Sequence, residues 1–183
     1  MRPLYTIGHG DRELDAFLGM LQDASIVALA DVRRYPGSRR HPHFGREALA
    51  AALAGAGIEY RWAGETLGGR RNATGNSRHL ALTSDSFRAY ADHMDGPEFR
   101  ASLDDLLARS AHQPTAIMCA ERHPASCHRS LIADAVLARG VPVIHLVEPS
   151  RSCPANLHPC ARLDGDHLTY DVGVQLGFDP EPA

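Results

Sequence analysis

The 183-residue chain contains no lysine: all 19 of its basic residues are arginine. A Schiff-base lysine, a lysine general base and the lysine of a Walker-type phosphate loop are therefore excluded. No apolar run approaches the roughly 18–20 residues that span a bilayer. Met1-Arg2-Pro3-Leu4-Tyr5 does not open a long apolar stretch of the secretory kind. These absences predict a cytoplasmic protein with no membrane partner. No G-x-G-x-x-G follows the first apolar strand, so the dinucleotide fingerprint is missing and no cofactor is identified. Strong net charge is also lacking: the balance is −3, which argues against electrostatic binding of nucleic acid over the whole surface.

What is present is ordinary globular usage, with 44% apolar and 22% charged residues, enough for the core of one compact domain. Short apolar runs alternate with helical periodicity. Leu4 to Ile7, Ile26 to Ala30, Ile58 to Trp62, Thr115 to Met118 and Val141 to Val147 read as strands. Leu14, Phe17, Leu18 and Leu21 share one helix face, with Asp11 as its expected cap. Further helices are expected over Arg46 to Ala54, from Ser84 with Phe87, Tyr90, Ala91 and Met94 inward, from Pro97, and from His128 to Ala138. The stretch Gly64 to Thr83 has no periodicity and reads as a long functional loop. This alternation predicts an α/β fold, a single-domain Rossmann-like three-layer sandwich with a mostly parallel sheet flanked by helices. Residues 1–147 form the α/β domain, and 148–183 a C-terminal extension packed on it, with a short strand expected at Leu168 to Val172.

In such sheets the working crevice lies beyond the carboxyl ends of the strands. Three chemically unusual clusters fall there: Gly8-His9, Asp31 with Arg33, and Cys119 with Glu121. They are expected to face one crevice. The densest run is Met118-Cys119-Ala120-Glu121-Arg122-His123-Pro124-Ala125-Ser126-Cys127-His128-Arg129. Cys119 leaves a buried strand, while Cys127 and His128 stand at a helix start, where free N–H groups and the dipole favour a thiolate. Cys119 or Cys127 is the candidate nucleophile. Glu121 and His128 are the candidate acid and base, with His9 and Asp31 as further catalytic candidates. Arg33, Ser38, Arg39 and Arg129 are expected to hold an anionic substrate, and Gly68-Gly69 to hinge a flap over it. Position 125 is alanine, so the loop is not the C-x5-R signature of phosphatases.

The four cysteines, in a chain without a visible export signal, read as thiols or metal ligands before disulfides. The intervals between Cys119, Cys127, Cys153 and Cys160 are not the C-x2-C pairs of zinc ribbons, and no metal site is assigned. A bound catalytic metal using His9, His128 or Glu121 stays open. The leading expectation is a thiol-dependent hydrolase or transferase acting on a small anionic, nucleotide-like molecule. One alternative is a nucleic-acid or nucleotide binding module gripping phosphates with 33–46 and 70–79. The other is a metal-dependent oxidoreductase.

The motifs Thr6-Ile7-Gly8-His9, Asp31-Val32-Arg33 with Pro36, Ser38 and Arg39, Leu67-Gly68-Gly69, Phe87-x-x-Tyr90-Ala91-x-x-Met94, and Cys119-Ala120-Glu121 with Cys127-His128-Arg129 resemble the DUF488 family in its order, from about residue 4 to 147. The family has serine after its histidine; this chain has Gly10. The resemblance implies a Rossmann-like α/β core and marks the motif residues. It supplies no reaction.

Overall fold

The computed structural model describes residues 1–37, 40–73 and 75–173. In chain order the elements are β1 (Leu4–Gly8), α1 (Leu14–Asp23), β2 (Ala28–Asp31), α2 (Arg46–Gly55), β3 (Glu59–Trp62), α3 (Gly64–Leu67), α4 (Asp85–Met94), α5 (Pro97–His112), β4 (Thr115–Cys119), α6 (Arg129–Ala138), β5 (Val143–Glu148), β6 (Arg151–Pro154), β7 (Ala161–Asp164) and β8 (His167–Tyr170). Six strands make one sheet in the order β3-β2-β4-β1-β5-β6. The first five are parallel, and β6 adds an antiparallel edge.

Continuous apolar runs form the central strands because they are covered on both faces. Ile7, Leu29 and Met118 meet Phe17 and Leu21 of α1 and Leu49 and Leu53 of α2 on one face. Leu4, Ala30 and Ile117 meet Tyr90 of α4, Phe99 of α5 and Ile132 of α6 on the other. This is the three-layer α/β sandwich expected from the sequence.

The chain steps from β1 to β2 to β3 toward one edge with α1 and α2 on the first face. It returns through β4 to β5 with α5 and α6 on the second. Reversing both direction and face keeps every crossover the same hand. Neighbouring β1 and β4 thus send their chains to opposite faces and leave a crevice beyond their carboxyl ends. Among the described residues no helix is long and apolar enough to cross a membrane.

Several local expectations change. Asp11 does not cap α1: Glu13 holds that position without a side-chain bond, and Asp11 pairs with Arg122 at 2.9 Å. The stretch after β3 is less loose than its composition suggests. Leu67 and Leu82 are buried, Tyr90 Oη donates to the Leu67 carbonyl at 2.7 Å, and His93 Nε2 lies 2.6 Å from the Thr66 carbonyl. The tail strand is one arm of a β7–β8 hairpin whose Leu168 and Tyr170 enter the second-face core.

Buried titrating groups set the acid response. Burial pushes His145 of β5 down to about 4, beside Thr6 Oγ1 at 2.7 Å, and burial pushes His9 down to about 4 as well. Burial raises Asp134 of α6 to about 6, against hydrogen bonds from Tyr170 Oη and the His158 N–H. Both histidines bind protons more readily unfolded, near 6.5, so their contribution to stability is lost as pH falls from there through 4. Asp134 works the other way, because its folded form takes up a proton first. His93, lowered by burial as well, adds to the two histidines, so stability is expected to fall as pH drops from 6.5 toward 4. Urea unfolding across that range should show a flatter slope in His145→Gln and a steeper one in Asp134→Asn.

Candidate functional site

Beyond the sheet, the carboxyl ends of β1 and β4 stay joined. His9 N–H donates to the Cys119 carbonyl at 3.1 Å, and Gly10 N–H to the Ala120 carbonyl at 2.7 Å. Gly10 has φ +55°, the left-handed region where a side chain is disfavoured. Gly8 answers to space: a Cβ there would stand 1.8 Å from the Glu121 carbonyl oxygen and 2.8 Å from Arg129 Nη1.

Arg129 fills the room that Gly8 leaves. It is 1% exposed, and its Nη2 donates to the carbonyls of Glu121 at 3.0 Å and Arg122 at 3.3 Å. Its Nε and Nη1 have no hydrogen-bond partner among the described residues. Burial lowers its pKa from the ordinary range, and the neighbouring Cys127, Cys119 and Glu121 work against that shift. Arg129, expected to grip substrate, lies beneath the loop as a buried cation facing two thiols and is not among the residues that line the crevice.

Those thiols converge on one imidazole. Cys119 Sγ and Cys127 Sγ each lie 3.7 Å from His128 Nδ1, and the three atoms all lie within 4.8 Å of one another. His128 Nε2 sits 3.2 Å from the Val32 carbonyl. A carbonyl only accepts, so Nε2 carries the hydrogen and Nδ1 turns its lone pair to the sulfurs. The Arg129 N–H donates to Cys127 Sγ at 3.4 Å from the first turn of α6. The neighbouring Cys127 thiol, with His128 and Arg129 behind it, holds the Cys119 thiol well below its ordinary range. The same contact, with burial, pushes Cys127 well up.

The sulfurs and His128 form part of the wall of a crevice of about 400 Å³, together with Arg33, Arg34, Arg70, Gly69, Tyr90 and Glu121. That volume suits a small organic ligand. Glu121 is exposed at its wall. Gly69 also belongs to the lining, because a Cβ on it would come 2.9 Å from His128 Nδ1. Gly68 does not: it lies under Arg34, where a Cβ would stand 2.9 Å from the Arg34 Cα. Ser38 and Arg39 lie outside the described residues.

His9 and Asp31 share the carboxyl edge but not the crevice, which corrects the expectation of one common rim. Side chains alternate along a strand, and theirs leave on the α1/α2 face. His9 stacks on Phe44 with ring centroids 4.4 Å apart, and its Nδ1 lies 2.8 Å from the Gly10 carbonyl. Asp31 is fully buried and accepts from Arg33 N, Nε and Nη2 at 3.0, 2.9 and 2.6 Å and from Tyr60 Oη at 2.9 Å. With both oxygens engaged, Asp31 fixes Arg33, and Arg33 reaches the crevice.

Sequence reading missed three contributors. Arg12, buried, donates from Nη1 to the Gly8 carbonyl at 2.7 Å and from Nη2 to the Val147 carbonyl, locking β1 to β5. Tyr60 completes the Asp31 clamp. Tyr90 stands edge-on to His128 with centroids 4.9 Å apart. Only Tyr90 carried a signal, its place in a helix-face motif. Cys153 and Cys160 are free thiols away from this centre.

The sheet edge and its thiol–imidazole centre define an α/β protein with a cysteine-containing crevice at the carboxyl ends of its strands. The model for the family described as "Domain of unknown function DUF488" matches residues 13–136. The chain belongs to that family. The match contains Asp31, Gly69 and the 119–129 loop, while Gly8 and His9 precede it. Comparison with curated proteins and with solved structures finds no match to this chain.

Two glycines give opposite expectations. Gly8→Ala must displace the Glu121 carbonyl and is expected to cost more than about 2 kcal/mol. Gly19→Ala, within α1 with nothing within 4 Å of its Cβ, should gain about 0.5–1 kcal/mol. Denaturant melts of the two variants check both signs.

Proposed function

We propose that this DUF488 protein is a cytoplasmic, thiol-dependent enzyme that hydrolyses or transfers a group on a small anionic, nucleotide-like substrate. One observation carries the reading: the Cys119 sulfur stands 3.7 Å from the free lone pair of His128 on the wall of a crevice that also presents Arg33, Arg34 and Arg70. A reducing compartment suits a centre built from two adjacent free thiols.

In the reaction, His128 Nδ1 takes the Cys119 proton, with the Arg129 charge stabilising the resulting anion. The thiolate attacks the electrophilic atom of the substrate; a Cys119 S–X bond forms and the bond to the leaving group breaks. The leaving group departs with the proton from His128 Nδ1. Water or an acceptor alcohol then attacks X, returns a proton to His128 and frees the thiolate. Glu121, exposed at the crevice wall, orients that second nucleophile. Arg34 and Arg70 meet the substrate's negative charge, and Asp31 holds Arg33 in place.

The nucleic-acid reading has less support because much of the basic surface is already engaged. Arg33 is clamped by Asp31, Arg46 lies over the Trp62 ring at 4.6 Å, Arg71 donates to the carbonyls of Gly68 and Glu65, and Arg78 pairs with Asp95. A local crevice, rather than a continuous basic face, is the anion site.

Alkylation tests the reading. In chelator-treated, reduced protein at pH 7, Cys119 is expected to react with iodoacetate at least ~10-fold faster than exposed Cys153. His128→Ala should slow it by ~10²-fold or more. The negatively charged reagent should gain on iodoacetamide relative to free cysteine, an advantage lost in Arg34→Ala with Arg70→Ala. Peptide mapping that finds Cys119 slower than Cys153 overturns the assignment.

A further inference from the structure

We propose that Cys119, Cys127 and His128 form a binding site for one thiophilic divalent cation of the zinc type, and that its occupancy silences the thiol. The silencing rests on the thiol reading above; the binding does not. In tetrahedral zinc with Zn–S about 2.3 Å and Zn–N about 2.05 Å, a sulfur and a nitrogen on neighbouring vertices stand about 3.6 Å apart. Both sulfurs already lie 3.7 Å from His128 Nδ1. Two edges of a tetrahedral face are thus set before any ion arrives, and the three donor atoms all lie within 4.8 Å of one another.

The surroundings hold those donors as an outer coordination shell does. The Val32 carbonyl, 3.2 Å from Nε2, fixes the tautomer that leaves Nδ1 free to ligate. The Arg129 N–H steadies Cys127 Sγ at 3.4 Å. Cys119 is the last residue of β4, tied to β1 through the His9 N–H. The missing side chain at Gly69 leaves space beside Nδ1.

Two thiolates and an imidazole select a borderline-soft cation over magnesium or calcium, which take oxygen donors. The three ligands belong to the wall of the 400 Å³ crevice, so the fourth vertex opens to water or an incoming anion. Binding forms two Zn–S bonds and one Zn–N bond, and the thiol protons pass to solvent. Coordination draws electron density from the Cys119 sulfur toward the cation and sets the ion beside it, so the bound thiolate is a weaker nucleophile than the free one.

Zinc chloride titrated into reduced, chelator-treated wild-type protein against a chromophoric chelator should show one tightly held equivalent. The same titration should be unchanged in a Cys153→Ser/Cys160→Ser double variant. Cys127→Ser and His128→Gln should each weaken it beyond the ~10–100-fold typical of losing an outer-shell partner. In the wild-type protein, where no variant can misfold, zinc should slow iodoacetamide labelling of Cys119 and Cys127 more than tenfold and leave Cys153 and Cys160 unchanged. No stoichiometric zinc, zinc that follows Cys153 and Cys160, or bound zinc that leaves Cys119 labelling unaltered would each overturn the proposal. Stoichiometric zinc together with a sluggish zinc-free Cys119 would sink the thiol reading and keep the site. A fast zinc-free Cys119 without zinc binding would do the reverse.

Discussion

The architecture of the crevice depends on where one guanidinium is put. Arg129 enters beneath β1 because position 8 has no side chain, and there it meets the carbonyls of Glu121 and Arg122. Those bonds hold the strand-to-helix turn so that residue 119 and residues 127–128 face each other. A buried cation with two unpartnered nitrogens is costly on its own. The two sulfurs beside it are the groups able to ionise in answer, so the same placement that shapes the loop favours the charged thiol.

How much of this could be read beforehand depends on parity. The carboxyl-edge rule located Gly8, Asp31 and Cys119 at one end of the sheet, because apolar runs and their polar exits are visible one residue at a time. The rule is silent about faces. Cys119 follows Ile117 toward the α4–α6 layer, whereas Asp31 follows Leu29, and His9 follows Ile7, toward α1 and α2. The strand order was also hidden, since β4 inserts between β1 and β2 through contacts made far apart in sequence. Cys119, Cys127 and His128 were legible as a group because they are close in the chain; Arg12 and Tyr60 were not, because their partners are remote.

The absence of lysine has a structural counterpart. Arg12, Arg122 and Arg129 each donate to more than one acceptor, joining β1 to β5, the 119–129 loop to Glu148, and the start of α6 to the preceding turn. A planar fork of donors can bridge backbone carbonyls in this way, while an ammonium presents a compact point charge. Three of the arginines of this chain thus sit where several acceptors converge.

The β7–β8 hairpin lies beyond the matched family segment, yet it fastens the interior. Tyr170 N–H donates to His79 Nδ1 across 91 positions of chain, its carbonyl accepts from the Ala81 N–H, and its hydroxyl donates to Asp134 on α6. The stretch leading from the crevice wall and the helix bearing Arg129 are therefore clasped by residues that follow both in the chain. A nascent chain on the ribosome carries both thiols before it carries Tyr170, so the clasp on α6 closes only after the thiol pair has been made.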